Sequence, residues 1–484
     1  MKKLMAICAL ACCLLVAAPS AELRAGSPEA DITANVKADG YRGIWYYNQR
    51  IGGRYVFKYS GGLGTYCAKH RPFAVHCDEV DKTFFCYGGT TRDGSLLHMV
   101  SYYDHESDTV PRPTILLDKE TGDAHDDPVM SVDEDGYIWI LSTAHGRARP
   151  SYIHRSAEPY SIDEFELVKA LRRTDVGRTK MTNFSYAQPR HIPGQGFRCF
   201  FTRYGWGAAR AICFMRSAGG RNWSQWQRLA VIEQGHYQVG AATAEKSASA
   251  FNFHPEPKGL NWRTNLYYVE TPNAGRTWRT VDGQRLEPPL TESDNPALVH
   301  DYLDEDLNVY LKDIRLDERG RPVILFLTSE GWEPGPENGP YRWRTAAWTG
   351  EKWHVRPAME SDHNYDMGPL YLEKGGTWRI IAPTEPGPQP FGTGGEVAMW
   401  VSRNRGKSWK MEQQLTAVSP RNHTYVRCPV NADPGFYAMW ADGNARERSV
   451  SRLYFCTRGG RVFRLPAQMD SEKMEPVPVF RAGK

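Results

Sequence analysis

Two octapeptides constrain this chain more than anything else in it. Thr271-Pro-Asn-Ala-Gly-Arg-Thr-Trp278 and Ser402-Arg-Asn-Arg-Gly-Lys-Ser-Trp409 share the pattern Ser/Thr-x-Asn-x-Gly-x-Ser/Thr-Trp. The pattern specifies a tight hairpin. The Asn side chain bonds nearby backbone, Gly admits a positive φ, and the Trp is left to pack outside the turn. Ser217 to Trp223 is a degenerate third copy, one residue short. A second repeat pairs Val132-Asp-Glu-Asp-Gly136 with Leu316-Asp-Glu-Arg-Gly320, each a turn followed by an apolar strand. A chain that repeats its turns repeats a β unit.

The segments between the turns agree. Tyr137-Ile-Trp-Ile-Leu141, Val323-Ile-Leu-Phe-Leu327, Val397-Ala-Met-Trp-Val401 and Phe436-Tyr-Ala-Met-Trp440 are of strand length and bounded by turn residues. The 44 Gly and 32 Pro suit many short strands. The best helical candidate is Ile162 to Arg172. No low-complexity linker divides the chain, so residues 41–484 read as one domain preceded by a loose arm, 22–40. The repeated octapeptide resembles the Asp-box, or BNR repeat, of β-propellers, with Asn in the Asp place. The stretch between Trp278 and Trp409 fits about two blades of roughly 40–65 residues each.

The first residues read as a secretory leader. Lys2 and Lys3 precede an apolar run from Leu4 to Ala18, and small residues follow at Ala17, Ala18, Ser20 and Ala21. Cleavage is expected near Ala21, giving a secreted or periplasmic protein with no membrane span after processing. Seven cysteines remain beyond the leader, an odd number. Cys77 with Cys86 and Cys199 with Cys213 flank hairpin-like stretches, but buried free thiols are the simpler expectation. A net charge of +4 gives no case for nucleic acid. HExxH, GxSxG, P-loop and EF-hand patterns are absent.

The richest polar region runs from His125 to Tyr204. It holds Gly122-Asp-Ala-His125-Asp-Asp-Pro128, Leu141-Ser-Thr-Ala-His145-Gly146, Asn183-Phe-Ser-Tyr186-Ala-Gln-Pro189 and Phe200-Phe-Thr-Arg203-Tyr204. Together with Tyr41-Arg-Gly-Ile-Trp-Tyr46, Tyr59-Ser-Gly-Gly-Leu-Gly-Thr65, Ala68-Lys-His70, Lys82-Thr-Phe-Phe85, Asn308-Val-Tyr-Leu-Lys-Asp313 and Gly392-Thr-Gly-Gly-Glu-Val-Ala-Met-Trp400, it resembles the BNR-repeat propeller family of polysaccharide lyases. That family includes ulvan lyases and enzymes acting at rhamnose–glucuronate linkages. The resemblance extends from about Gly40 to Thr457. It implies an all-β, seven-bladed propeller with a central cleft. It also implies a site of two histidines on one blade, then a tyrosine and an arginine on the next: His125, His145, Tyr186 and Arg203. The N-terminal stretch lacks the Phe-Arg-Ile-Pro start of a sialidase.

The implied chemistry is β-elimination. A lyase removes the C5 proton of a uronate, neutralises its carboxylate and protonates the leaving O4. Arg203 suits the carboxylate through its two parallel bonds. Tyr186 and His125 share the base and acid roles in an order the sequence leaves open. His145 binds the carboxylate or holds another group, and His70 could line the cleft. Each also has a structural alternative: a hydrogen-bonded histidine, a tyrosine bridging blades, or an arginine paired with an acid such as Asp127. The cluster Asp362-His363-Asn-Tyr-Asp366 reads as a loop. No cofactor is required for the chemistry. The resemblance allows a structural zinc or calcium, with His236, His254 and Cys199 as candidate ligands that no spacing supports. The expected partner is an acidic polysaccharide, and the expected state a monomer. Two other readings stand beside the lyase: an exo-glycoside hydrolase of α-L-rhamnosidase type, and a non-catalytic carbohydrate-binding propeller.

Overall fold

Short strands with both faces apolar are stable only when stacked between neighbours, and the chain meets that need by forming a ring. A computed structural model describes residues 32–172, 183–205 and 210–479. Seven antiparallel sheets form a seven-bladed β-propeller. Blade 1 runs outward from Ala74–Cys77 through Lys82–Thr90 and Leu96–Asp104 to Thr114–Asp118. Blades 2 to 7 occupy 128–171, 185–230, 238–286, 308–361, 370–414 and 422–464. Regular helix among the described residues is confined to three-residue 3-10 turns. The leader, 1–21, lies outside the described residues. The helical candidate 162–172 is instead mostly strand: Phe165–Leu171 is the outer strand of blade 2. Its Phe165 and Leu171 are buried against neighbouring sheets, and that packing overrides local propensity.

Alternation along each strand feeds two interfaces at once. In blade 3, Phe200 packs with Phe214, Phe251 and Trp278 toward blade 4, while Phe201 packs with Val129, Trp139 and Leu141 toward blade 2. Each fully buried Phe of this kind contributes roughly 1.5–3 kcal/mol. The repeated octapeptides sit between the third and fourth strands of blades 4 and 6. In each, the first hydroxyl accepts from the Gly amide (Gly275 N to Thr271 Oγ1 and Gly406 N to Ser402 Oγ, both 2.8 Å). The Asn carboxamide accepts from Thr277 N and Ser408 N, both at 2.9 Å. Gly406 has φ +74°, and a Cβ there would stand 2.4 Å from the Trp378 ring. The turns at 132–136 and 316–320 both join first to second strands, in blades 2 and 5.

The ring closes where blade 7 meets blade 1. Val75 and Val430 pair in parallel, with His76 N donating to Val430 O (2.9 Å) and Val430 N to Ala74 O (2.8 Å). Phe436 stacks on Phe85 and Phe455. In the N-terminal arm, whose described part begins at residue 32, Val36–Lys37 pairs with blade 1's outer strand, and Tyr41 N donates to Pro466 O at 2.8 Å. Lys473–Met474 pairs with Val110–Pro111. The described N-terminal residues therefore bind blade 1, while the C-terminal segment spans the seam: Val477–Val479 pairs with blade 7's Val462–Arg464 and Lys473–Met474 with the connection before blade 1's last strand. The seven cysteines are all free. Strand register sets Cys77 opposite Lys82, Cys86 opposite Val100, Cys199 opposite Met215 and Cys213 opposite Phe201, so neither candidate pair faces itself.

One hairpin, Trp45–Gly52 with Val56–Gly62, belongs to no blade. It lies over the closure, backbone against backbone. A Cβ on Gly62 would stand 1.6 Å from Asp442 O, and Thr424 Oγ1 donates to Gly62 O at 2.7 Å. Gly62→Ala should lift this hairpin and lower stability by about 1–3 kcal/mol. Urea unfolding of the variant checks this, with near-ultraviolet circular dichroism reporting the displaced tyrosines.

Burial also leaves a set of neutral histidines. It pushes His125 and His236 down to about 4, and His154 and His363 down to about 3. In the unfolded chain each returns to about 6.5 and binds a proton that the folded form refuses. These groups leave stability unchanged above about pH 6.5. Stability falls as pH drops from there toward about 4, each histidine adding up to about 1.4 kcal/mol per pH unit. Urea midpoints at about pH 7.5 and about pH 5 should show a slope steeper than one histidine supplies.

Candidate active site

Residue types that transfer protons meet at one mouth of the ring, and two turns of blade 2 bring them there. Asp123 caps the 3-10 turn Ala124–Asp126, accepting from His125 N at 3.1 Å. Pro128 pairs with Ser142 in the register of blade 2, so the chain before strand one lies beside the chain after strand two. That adjacency stacks the His125 and His145 rings, with centroids 4.0 Å apart and planes 16° apart. One carboxylate holds both: Asp123 Oδ1 is 2.6 Å from His125 Nδ1, and Oδ2 is 2.8 Å from His145 Nδ1. Arg149 donates to Asp123 Oδ2 (2.7 Å) and to Asp126 (2.6 Å). Burial works against the Asp123 charge, but the two histidines win and hold the carboxyl well below the usual range.

The two histidines differ in access. His125 is buried, and both nitrogens are occupied. Tyr46 lies 3.0 Å from Nδ1, while Tyr59 (3.0 Å) and Tyr66 (2.5 Å) reach Nε2. Tyr46 and Tyr59 come from the hairpin over the closure, and Tyr66 from the segment that follows it. His145 is fixed only through Nδ1, and its side chain is 30% exposed. Its Nε2 makes no hydrogen bond among the described residues. The open ring is therefore His145, with His125 packed beneath it as a neutral base plate.

Tyr186 enters from blade 3. Its φ is +52°, and the ladder slips between Ser185 and Gln188, which turns the side chain out of the sheet. Its hydroxyl is 3.1 Å from that of Tyr204. Burial raises both phenols above their ordinary value, and the nearby Arg210 only partly offsets this. Desolvation outweighs the neighbouring arginine and keeps the Tyr186 phenol protonated. His70 is fully buried, 5.6 Å from the Tyr186 ring, with Nε2 3.3 Å from Thr143 Oγ1. It supports the site from below.

Arg203 is not brought to this cluster. It precedes Tyr204 in the same strand, so its side chain takes the other face, where the guanidinium lies 4.6 Å from the Trp226 ring centre. Arg210 stands opposite Tyr204 in the next strand and shares its face. Arg210 donates to Tyr237 Oη (3.0 Å) and reaches His254 Nε2 (3.4 Å), whose Nδ1 is held by Trp262 O (2.5 Å). Further round the wall, Arg263 donates to Tyr365 Oη (3.0 Å) and lies over the rings of Tyr237 and Tyr310. Lys58 donates to Asn261 Oδ1 (2.7 Å). Burial, then Arg263 and Arg210, bring it down to about 6. Neither arginine has a carboxylate partner among the described residues, so the wall carries uncompensated positive charge, and that charge holds Lys58 largely neutral.

The proposed ligand set His236, His254 and Cys199 does not assemble. His236 is saturated by Asn252 O and Ile232 N, both 2.7 Å away. His254 is spent on Trp262 and Arg210, and burial raises the Cys199 thiol to about 12. Among the described residues, the groups whose donor atoms cluster closely enough for a cation are Asp123, His125 and His145, and, separately, His76, Asp81 and His105. The polar cluster 362–366 is a buried loop, as expected: Asp366 accepts from His363 N (3.1 Å) and Gly394 N (2.8 Å). It also delivers Tyr365, stacked 4.3 Å from Tyr59. Sequence reasoning missed Asp123, Tyr204 and Arg210 as site members. Asp123 lay within a quoted motif. Arg210 carried no signal, because only the strand register shows which face it takes.

Known proteins agree with this architecture. A profile described as "BNR repeat-containing family member" matches residues 86–361, more than half of the chain. An ulvan lyase of Nonlabens ulvanivorans is 23% identical over 375 residues, covering 68% of this chain and 74% of its own. The solved structure of an ulvan lyase of polysaccharide lyase family PL25 superposes with a TM-score of 0.67 at 15% identity, over 87% of this chain and 96% of that one. A second structure of that ulvan lyase type, bound to -[GlcA(1-4)Rha3S]-, superposes equally well, with a TM-score of 0.67. The repeats read from the sequence, the seven blades they build and the profile match converge: this chain belongs to the BNR repeat-containing family.

Proposed function

We propose that the chain is an exported polysaccharide lyase that cleaves a uronate-containing acidic polysaccharide by β-elimination. One observation carries the reading. The open Nε2 of an Asp-oriented histidine, the buried phenol of Tyr186 and the half-buried phenol of Tyr204 face a wall of cations with no carboxylate partners. An anionic sugar supplies the charge that this wall lacks.

The residues divide the work as follows. Arg210 pairs with the uronate carboxylate and stabilises the enolate-like charge as the C5 proton leaves. His145 Nε2 takes that proton, and Asp123 stabilises the imidazolium through Nδ1. The C5–H electrons form the C4–C5 double bond, and the C4–O bond breaks. Tyr186, kept protonated by burial, gives its proton to the departing oxygen, and Tyr204 is placed to restore it. His125, neutral beneath His145, adds no opposing charge. Arg263 lies beyond Arg210 and suits a second charged group on a neighbouring sugar, and such an anion would draw a proton onto the adjacent Lys58. The -[GlcA(1-4)Rha3S]- chain bound by the similar PL25 structure carries charge on adjacent residues in this way. Among the described residues no helix is long and apolar enough to cross a membrane. The hydrolase reading has less support: the carboxylates nearest the histidines, Asp123 and Asp126, are both engaged by Arg149.

Incubation with ulvan should produce ultraviolet absorbance from an unsaturated uronyl end, with product masses lacking the added water of hydrolysis. No absorbance on ulvan or any other uronate polymer would overturn the reading. His145→Ala, Tyr186→Phe and Arg210→Ala should each lower kcat/KM by at least about a hundredfold while the fold is kept. Asp123→Asn should act similarly, through loss of the imidazolium partner. Arg203→Ala should stay within a few-fold of the parent. The reverse ranking of the two arginines would return the carboxylate to Arg203.

A further inference from the structure

Two of the repeated turns carry charge that the blades do not use. Strand direction places them. The active site lies where the first strands begin, so the turns joining strands one to two and three to four emerge on the opposite face. There the turn 316–320 of blade 5 and the octapeptide hairpin of blade 6 flank a groove of about 230 Å3. Its cations include Arg319, Arg356, Arg405 and Lys407, with the half-buried Trp348 in the wall.

Local ion pairing accounts for the other charges there. Asp317 is taken by Arg321 through two bonds (2.8 and 2.6 Å), and Glu373 by Arg379 and Arg458. Arg319, Arg356, Arg405 and Lys407 form no ion pair among the described residues, and Glu318 is the one acid left in the groove. The hairpin does not need Arg405 or Lys407 to fold, because Ser402, Asn404 and Gly406 make its turn. Like charges gathered without partners repel, and they are relieved by a bound polyanion. Trp348 offers a half-buried ring face of the kind that sugars stack on.

We propose that this groove is a second, non-catalytic binding site for an acidic polysaccharide chain, on the face away from the cleft. The proposal rests on the lyase reading for its choice of polymer. Such a site keeps the enzyme on a long chain between cleavages, and its contribution falls with added salt.

Affinity electrophoresis in gels containing ulvan tests it, in an Arg210→Ala background that does not cleave. Arg405→Ala with Lys407→Ala should weaken retardation at least fivefold, and adding Arg319→Ala should weaken it further. Gels of neutral dextran should retard none of them. In the cleaving protein the double variant should raise KM for the polymer several-fold, leaving kcat and the kinetics on short oligosaccharides unchanged. Unchanged retardation of both the double and the triple variant, with unchanged melting, overturns the proposal. If no unsaturated product ever forms but the double variant still loses retardation, the groove stands and the lyase reading falls.

Discussion

A ring of sheets holds together only if its last member meets its first, and everything at the mouth of this propeller depends on that joint. The closure is made by Val75 and Val430 at the axis, by aromatic stacking of Phe436 on Phe85, and by a C-terminal segment that pairs with blade 7 through Val477–Val479 and with Val110–Pro111 through Lys473–Met474. The hairpin carrying Tyr46 and Tyr59 rests on this seam through contacts so close that Gly62 leaves no room for a side chain. Those tyrosines occupy His125, His125 supports His145, and Asp123 ties the two rings together. A continuous chain of contacts thus runs from ring closure to the open Nε2 of His145.

The electrostatics of the cleft follow from burial. Desolvation neutralises His125, keeps Tyr186 and Tyr204 protonated, and lowers Lys58. Asp123 escapes because three cationic or proton-donating groups converge on it. The result is a proton acceptor and a proton donor set against cations that lack counter-charge. Perturbed groups of this kind, convergent in a cleft, mark sites of chemistry. On the opposite face the same repeat architecture leaves cations unpaired at exposed hairpin tips, where water screens them and only a long polyanion gains by meeting several at once.

Much of the fold was legible in the residues. The octapeptides fixed hairpins at Thr271–Trp278 and Ser402–Trp409 because their hydrogen bonds close within eight residues. The strand segments were legible because both faces of each blade are apolar. The stretch 162–172 misled because its helical pattern is local, whereas the blade edge that captured it is not. His125, His145 and Tyr186 were found by resemblance, and the structure gathers them. The roles of the two histidines were not legible, since they turn on which ring the tyrosines of a distant hairpin cover.

The arginine shows the boundary most clearly. The family resemblance implied Arg203 as the carboxylate's partner, and nothing in the sequence distinguished Arg210. Adjacent residues in a strand face opposite ways, so a shift of one position exchanges the cleft for Trp226, and pairing across the hairpin brings Arg210 to the face that Tyr204 occupies. The sequence alone determined the repeated hairpins, the all-β architecture and the kinds of side chain available for chemistry, because those depend on short-range hydrogen bonding and apolar alternation. The tertiary structure alone decided which nitrogen stays open, which arginine meets the cleft and which cations lack partners. Those depend on register, ring closure and burial, which join residues far apart in the chain.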